Sequence, residues 1–111
     1  MAGLEQYREY IEDIINWRAG IGYAHGNLAM KPVFDRNHDQ YLLMVIGYEG
    51  RKQVHFALID VELRDGKFWI HYDGTEAGVA TYLLEKGVPR EHIVLAFKSP
   101  EMRKYTEFAA A

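Results

Sequence analysis

Apolar residues recur at steps of three and four along the first part of the chain. Leu4, Tyr7, Ile11, Ile14 and Ile15 share one side, and Glu5, Arg8, Glu9, Glu12 and Asp13 share the other. That period predicts an amphipathic helix from Leu4 to Arg18, ended by Gly20 and Gly22. His25-Gly26-Asn27 reads as a loop. Leu28 to Asp35 reads as a strand, and Pro32, which lacks an N–H donor, places it at a sheet edge or a bulge. Arg36-Asn37-His38-Asp39 is a polar turn. Gln40 to Glu49 contains Leu42, Leu43, Met44, Val45 and Ile46 without a polar break, the pattern of a strand covered on both faces. After a turn at Glu49-Gly50-Arg51, Gln53 to Arg64 alternates with a fault. Val54, Phe56 and Leu58 keep one phase, whereas Ile59, Val61 and Leu63 keep the other. A bulge, or a strand that changes surface, is the expected solution.

Asp65-Gly66 is a hairpin signal, and Phe68, Ile70 and Tyr72 then alternate with Lys67, Trp69 and His71. Asp73-Gly74 stops this strand. Asp73 and Glu76 have the spacing of a capping box, with Asp in place of Ser or Thr. The helix that follows presents Val79, Ala80, Leu83 and Leu84 along one side. Gly87 suits a left-handed turn at its end, Val88 can fold back, and Pro89 prevents continuation. Arg90-Glu91-His92 is a short turn, Ile93 to Phe97 a compact strand, and Ser99-Pro100-Glu101 opens a polar tail. Four consecutive strands joined by tight turns imply an antiparallel meander. The predicted class is α+β: N-terminal helix, four-stranded antiparallel meander, helix, short fifth strand, C-terminal tail.

A length of 111 residues predicts one domain over 1–111, and an apolar content of 49% gives it a core. No apolar run approaches the roughly 20 residues of a membrane helix, and MAGLEQYREY lacks the features of a signal peptide. The absence of Cys excludes disulfides and thiolate metal sites, and fits a cytoplasmic protein. The net charge of −3 weighs against a strong nucleic-acid binder working alone.

Gly66-Lys67, Trp69-Ile70, Asp73-Gly74-Thr75-Glu76, Gly78-Val79-Ala80, Gly87-Val88-Pro89 and Ile93-Val94-Leu95-Ala96-Phe97 together resemble the XisI family, the fdxN-element excision controlling factors of cyanobacteria. Ser99-Pro100, Arg103, Thr106 and Phe108-Ala109 extend the resemblance, as do the Tyr-rich first helix, Val33-Phe34-Asp35 and Gln40-Tyr41-Leu42-Leu43. It spans almost the whole chain. The chain departs from the family pattern at His71-Tyr72, where Gln-His is expected, and at Lys98, where His is expected. The resemblance implies a factor in the regulated excision of a DNA element, acting beside a site-specific recombinase and a second accessory protein, XisH. It brings no established catalytic residues.

The residues themselves offer thin chemistry. His25, His38, His55, His71 and His92 are scattered. A metal site would need Asp35, His38 and Asp39, or His71 and Asp73, to converge with further ligands. Asp73 and Glu76 as an acid–base pair compete with their capping role. Ser99, Thr75 and Thr81 have no visible activating base. Gly74 and Gly78 flank a helix start without the phosphate-loop pattern, and Glu76 would repel an anion there. No cofactor is expected. Asp73, Gly74, Glu76, Gly87 and Pro89 are structural residues. Lys98 with Arg103, Lys104, Tyr105 and Phe108 forms the basic and aromatic cluster; the last four are the candidate partner contact. The expectation is a non-enzymatic accessory protein that binds an XisH-like protein, with weak DNA binding alone. A direct DNA-binding factor is the alternative, and a small hydrolase or its regulator a third. The two-phase strand and the Leu42 to Ile46 run both ask for cover on two faces, which predicts a homodimer.

Overall fold

In the computed structural model, which describes residues 3–23 and 27–111, the two longer helices lie on one face of a five-stranded sheet of order β1-β2-β3-β4-β5. Helix α1 (Leu4–Ile21) buries Tyr7, Ile11 and Ile15 against the sheet. It runs through Gly20 and ends at Gly22, so only the second of the two expected breakers acts as one. The expected loop residues His25 and Gly26 lie outside the described residues, and Asn27 already opens β1 (Asn27–Asp35). That strand is an edge of the sheet, as Pro32 requires. β2 (Gln40–Glu49), β3 (Lys52–Arg64) and β4 (Lys67–Asp73) follow antiparallel, each paired with the preceding strand.

The fault in β3 is a bulge. Leu43 pairs with Ile59 and Met44 with Ala57, so Leu58 is skipped. The extra residue lets both phases, Val54 and Phe56 before it and Ile59, Val61 and Leu63 after it, face the helices. A second register shift skips His71: Val61 pairs with Ile70 and Asp60 with Tyr72. Tyr72 therefore turns to the opposite face from Phe68 and Ile70, which corrects the simple alternation predicted for β4. The core under the helices comprises Tyr41, Leu43 and Val45 of β2, Ile59 and Val61 of β3, Phe68 and Ile70 of β4, and the α1 stripe. Tyr7 packs on Phe68 with ring centroids 4.7 Å apart.

Helix α2 (Val79–Glu85) starts later than its sequence signal suggests, because Thr75 to Gly78 form a loop. The Asp73–Glu76 capping box does not form. Asp73 instead reaches across this loop: Val79 N–H donates to Oδ2 at 2.6 Å, and the Thr75 N–H and hydroxyl donate to Oδ1 at 3.0 and 2.6 Å. Glu76 is exposed. Asp73 thus keeps its structural role with different partners. Asp73→Ala is expected to cost about 1.5 kcal/mol, within the range for losing a helix cap; an unchanged urea midpoint would contradict this. The other end of α2 forms as read. Gly87 sits at φ 90°, its N–H donates to Leu84 O, and Val88 N–H donates to Leu83 O, folding Val88 back onto Leu83.

A 3-10 turn at Arg90–His92 leads into β5 (Ile93–Leu95), shorter than the predicted Ile93–Phe97 and parallel to β4. Parallel pairing follows from the α2 crossover. The remaining chain, with the short helix α3 (Pro100–Arg103) capped by Ser99, returns to the sheet, where Ala109 bridges Val94. This tail covers the β4–β5 end of the second sheet face, where Trp69 and Val94 are buried. The β1–β3 part of that face has no such cover. Leu42, Met44 and Ile46 are only half-buried, so β2 is not enclosed on both sides. Among the described residues no helix is long and apolar enough to cross a membrane.

Candidate functional site

The residues proposed from sequence as a partner contact do not form one surface. Arg103 donates from Nε to Lys98 O at 2.9 Å and from Nη2 to Ala96 O at 3.2 Å, with its guanidinium 5.8 Å from the Trp69 ring centroid. It braces the tail against the sheet. Phe108 is half-buried against the core. Lys104 and Tyr105 remain exposed beside each other. Gly74 N–H donates to Leu58 O at 2.8 Å, tying the loop after β4 to the β3 bulge. Gly87 and Pro89 lie at the end of α2 and at the start of the following turn.

The histidine and carboxylate groups are divided among separate pairs. His38 Nδ1 meets Asp35 at 2.7 Å, whereas Asp39 serves Arg8 and Tyr41. His71 Nε2 meets Glu62 at 2.9 Å, away from the Asp73 bonds. Among the described residues no three His, Asp or Glu side chains form a metal-ligating group. At the start of α2, the Val79 N–H that an anion would seek is occupied by Asp73. One pairing has no signal in the sequence: Tyr7 and His92, far apart in the chain, share a 2.7 Å hydrogen bond beside a small cavity bounded by Asp65, Gly66 and Lys67. Burial, with Tyr10 nearby, raises the Tyr7 pKa above its ordinary value, so its phenol remains protonated and suits the donor role.

A cleft of about 750 Å³ lies on the helix side, between the last turns of α1, the Thr75–Gly78 loop and α2. Ile14, Trp17 and Ile21 line it from α1, Leu58 from the bulge, and Tyr82 from α2. Trp17 is 61% exposed and Ile21 60%, a large apolar surface for one helix end to leave in water. Glu76 and Glu85 give its rim negative charge, while Arg18 donates to Gly22 O at 2.8 Å. The sequence does contain a trace of this cleft. Ile14, Trp17 and Ile21 form a second apolar row beside the Tyr7–Ile11–Ile15 stripe, more than one buried face requires. The bulge and the late start of α2 open the space beneath that row.

A family model described as XisI protein matches residues 1–110. The chain belongs to the XisI family. Among solved structures, a XisI-like protein from Anabaena variabilis ATCC 29413 is 28% identical; the match covers 98% of this chain and 100% of that one, with a TM-score of 0.92. The fdxN element excision controlling factor XisI from the same organism is 31% identical, with 95% and 96% covered and a TM-score of 0.83. No curated protein matches. The helix-on-sheet arrangement is therefore the XisI architecture, and the cleft and the bare sheet face are features of this XisI family member.

Proposed function

We propose that this XisI family member is a non-enzymatic accessory factor in the excision of a DNA element, acting by contact with an XisH-like protein beside a site-specific recombinase. The cleft between α1 and α2 carries this reading. Trp17, Ile21 and Tyr23 supply exposed aromatic and aliphatic anchors, with half-buried Tyr82 beside them, of the kind on which protein interfaces commonly depend. Its acidic rim favours a partner segment with basic residues around an apolar centre.

The same chemistry supports weak direct DNA binding. Three arginines are engaged internally and not offered to phosphates: Arg36 with Glu5 and Glu12, Arg8 with Asp39, Arg103 with backbone carbonyls. At a net charge of −3, the remaining exposed cations supply little counterion release. In titrations with an XisH-like protein, Trp17→Ala with Ile21→Ala is expected to weaken binding at least tenfold, the loss of a hot-spot cluster. Unchanged affinity in a folded double variant would remove the cleft from the reading. A gel-shift titration at about 150 mM salt is expected to give weak binding without sequence preference. Tight, competitor-resistant binding to an element end would favour the direct DNA-binding factor.

A further inference from the structure

The second face of the sheet carries a different surface. Strand pairing places its residues in rows: Asp35, Gln40, Glu62 and Trp69; Val33, Leu42, Asp60 and Tyr72; Lys31, Met44 and Ala57; Ala29, Ile46 and His55; Asn27, Tyr48 and Gln53. The centre of this array is apolar, and its borders remain open. Val33 is 44% exposed, Tyr48 59% and Tyr72 50%. A solvated sheet face ordinarily alternates polar residues outward. Here the middle strand presents Leu42, Met44 and Ile46 instead.

Two charged residues stand in this array without an ion-pair partner among the described residues, Lys31 on β1 and Asp60 on β3. They lie on opposite sides of β2 and one row apart. A two-fold axis along β2, in the plane between two stacked sheets, sets β1 of each copy over β3 of the other. Each Lys31 then comes within one row, about 7 Å along the strand, of the other copy's Asp60, a gap the long lysine stem can span. The two charges left unpaired in each copy are thus complementary across the axis, and the surface around them is apolar. Two Lys31–Asp60 pairs would form; the end row sets Asp35 over the other copy's Glu62, carboxylates that already hold His38 and, for Glu62, His71 and Arg64 within their own copy.

The remaining geometry favours the same arrangement. Pro32 interrupts the free edge of β1, which disfavours continuation of the sheet by edge pairing and leaves stacking of faces. The tail covers only the β4–β5 end, so in the stacked pair it flanks the other copy's β1. β2 is about 33 Å long and three strands span about 15 Å, giving a projected area of roughly 500 Å² per copy, or about 1,000 Å² for both. That is the lower bound for a specific interface and indicates a reversible dimer.

We propose that the open β1–β3 part of the second sheet face is a homodimer interface, in which two copies stack about a two-fold axis along β2. This is a separate surface from the α1–α2 cleft, which stays free in the dimer.

Sedimentation velocity from about 1 to about 200 μM, a range bracketing micromolar affinity, tests it on the whole chain. The wild type is expected to pass from monomer to dimer over this range. Met44→Lys, which places a charge at the centre, is expected to remain monomeric with an unchanged circular dichroism spectrum. Should that variant fail to fold, Ala57→Arg provides the same test from β3. Asp60→Lys and Lys31→Asp should each weaken the dimer at least tenfold, and the two together should restore it, an outcome that a general loss of stability does not produce. A wild type that stays monomeric at the upper concentration overturns the proposal. So does a dimer that survives the central charge, or failure of the double charge exchange to restore association.

Discussion

Gly47→Ala is expected to destabilise the protein by about 4 kcal/mol, combining roughly 1–3 kcal/mol of backbone strain with roughly 1–3 kcal/mol of overpacking. Gly47 lies in β2 at φ 153°, a backbone conformation that residues with a side chain rarely adopt. A Cβ there would overlap the Asn27 carbonyl oxygen and come within 3.1 Å of Leu28 Cδ2. The carbonyl belongs to the neighbouring strand and cannot rotate away as a flexible side chain can. Relief requires β1 to move off β2 at its first residues. Urea denaturation followed by circular dichroism measures the loss. A midpoint close to that of the wild type would show that β1 shifts cheaply and that the sheet edge is soft.

Asp39→Ala should cost about 2–3 kcal/mol, the range for losing charge-assisted hydrogen bonds and leaving a buried hydroxyl unpaired. Asp39 terminates the β1–β2 turn at φ 52°, a left-handed conformation that Asp tolerates. Its carboxylate receives Arg8 Nε at 2.8 Å and Nη2 at 3.2 Å, together with the Tyr41 hydroxyl at 2.8 Å. Leu63 N–H donates to its backbone carbonyl. One residue thus joins α1, the hairpin and β3. Tyr41 is fully buried, so its hydroxyl has no water to replace the lost acceptor. Asp39→Asn should retain part of the stability by keeping an acceptor for that hydroxyl.

The same carboxylate makes the fold sensitive to acid. The hydrogen bond from Arg8 holds the Asp39 pKa below its ordinary value, and the bond from Arg36 does the same for Glu12. A carboxylate whose folded pKa is depressed adds stability fully above its unfolded value, about 4. That contribution is lost as pH falls through the lower folded value. The wild type should therefore lose stability below about pH 4, and Asp39→Ala should lose less over the same interval. Equal losses in the two proteins would mean that this contact does not govern the acid response.

The strands were legible because their apolar periods are strong and their turns carry specific residues. Asp65-Gly66 and Pro32 each placed a feature correctly, and the phase fault in β3 announced its bulge. The start of α2 was not legible. Asp73 and Glu76 have the spacing of a local cap, but the Asp73 carboxylate finds Val79 N–H across a loop, a choice made in three dimensions. The second register shift, at His71, leaves no comparable mark, because Tyr72 can serve either face. Arg103 resembled a surface anchor for a similar reason. Its use against Trp69 and two carbonyls depends on the tail folding back over β4. The cleft was hinted at only by the surplus apolar row on α1. Its depth depends on the bulge and the loop together, contacts between segments distant in the chain.

The order β1-β2-β3-β4-β5 also has a kinetic consequence. Each of the first four strands pairs with the strand just before or after it in the chain, through short turns. Their closure carries little loop entropy, and each hairpin can form soon after its residues are free to meet. β5 is different, since its parallel pairing must wait for the crossover through α2 to compact. Four strands can therefore assemble before the fifth arrives. In that interval Trp69 lacks its tail, and the second face is apolar from β1 to β4. The stretch that stays covered in the finished protein is then briefly continuous with the stretch that does not. The strand order therefore predicts that β5 and the tail dock last, trimming a wide adhesive sheet to the narrower surface kept by the native molecule.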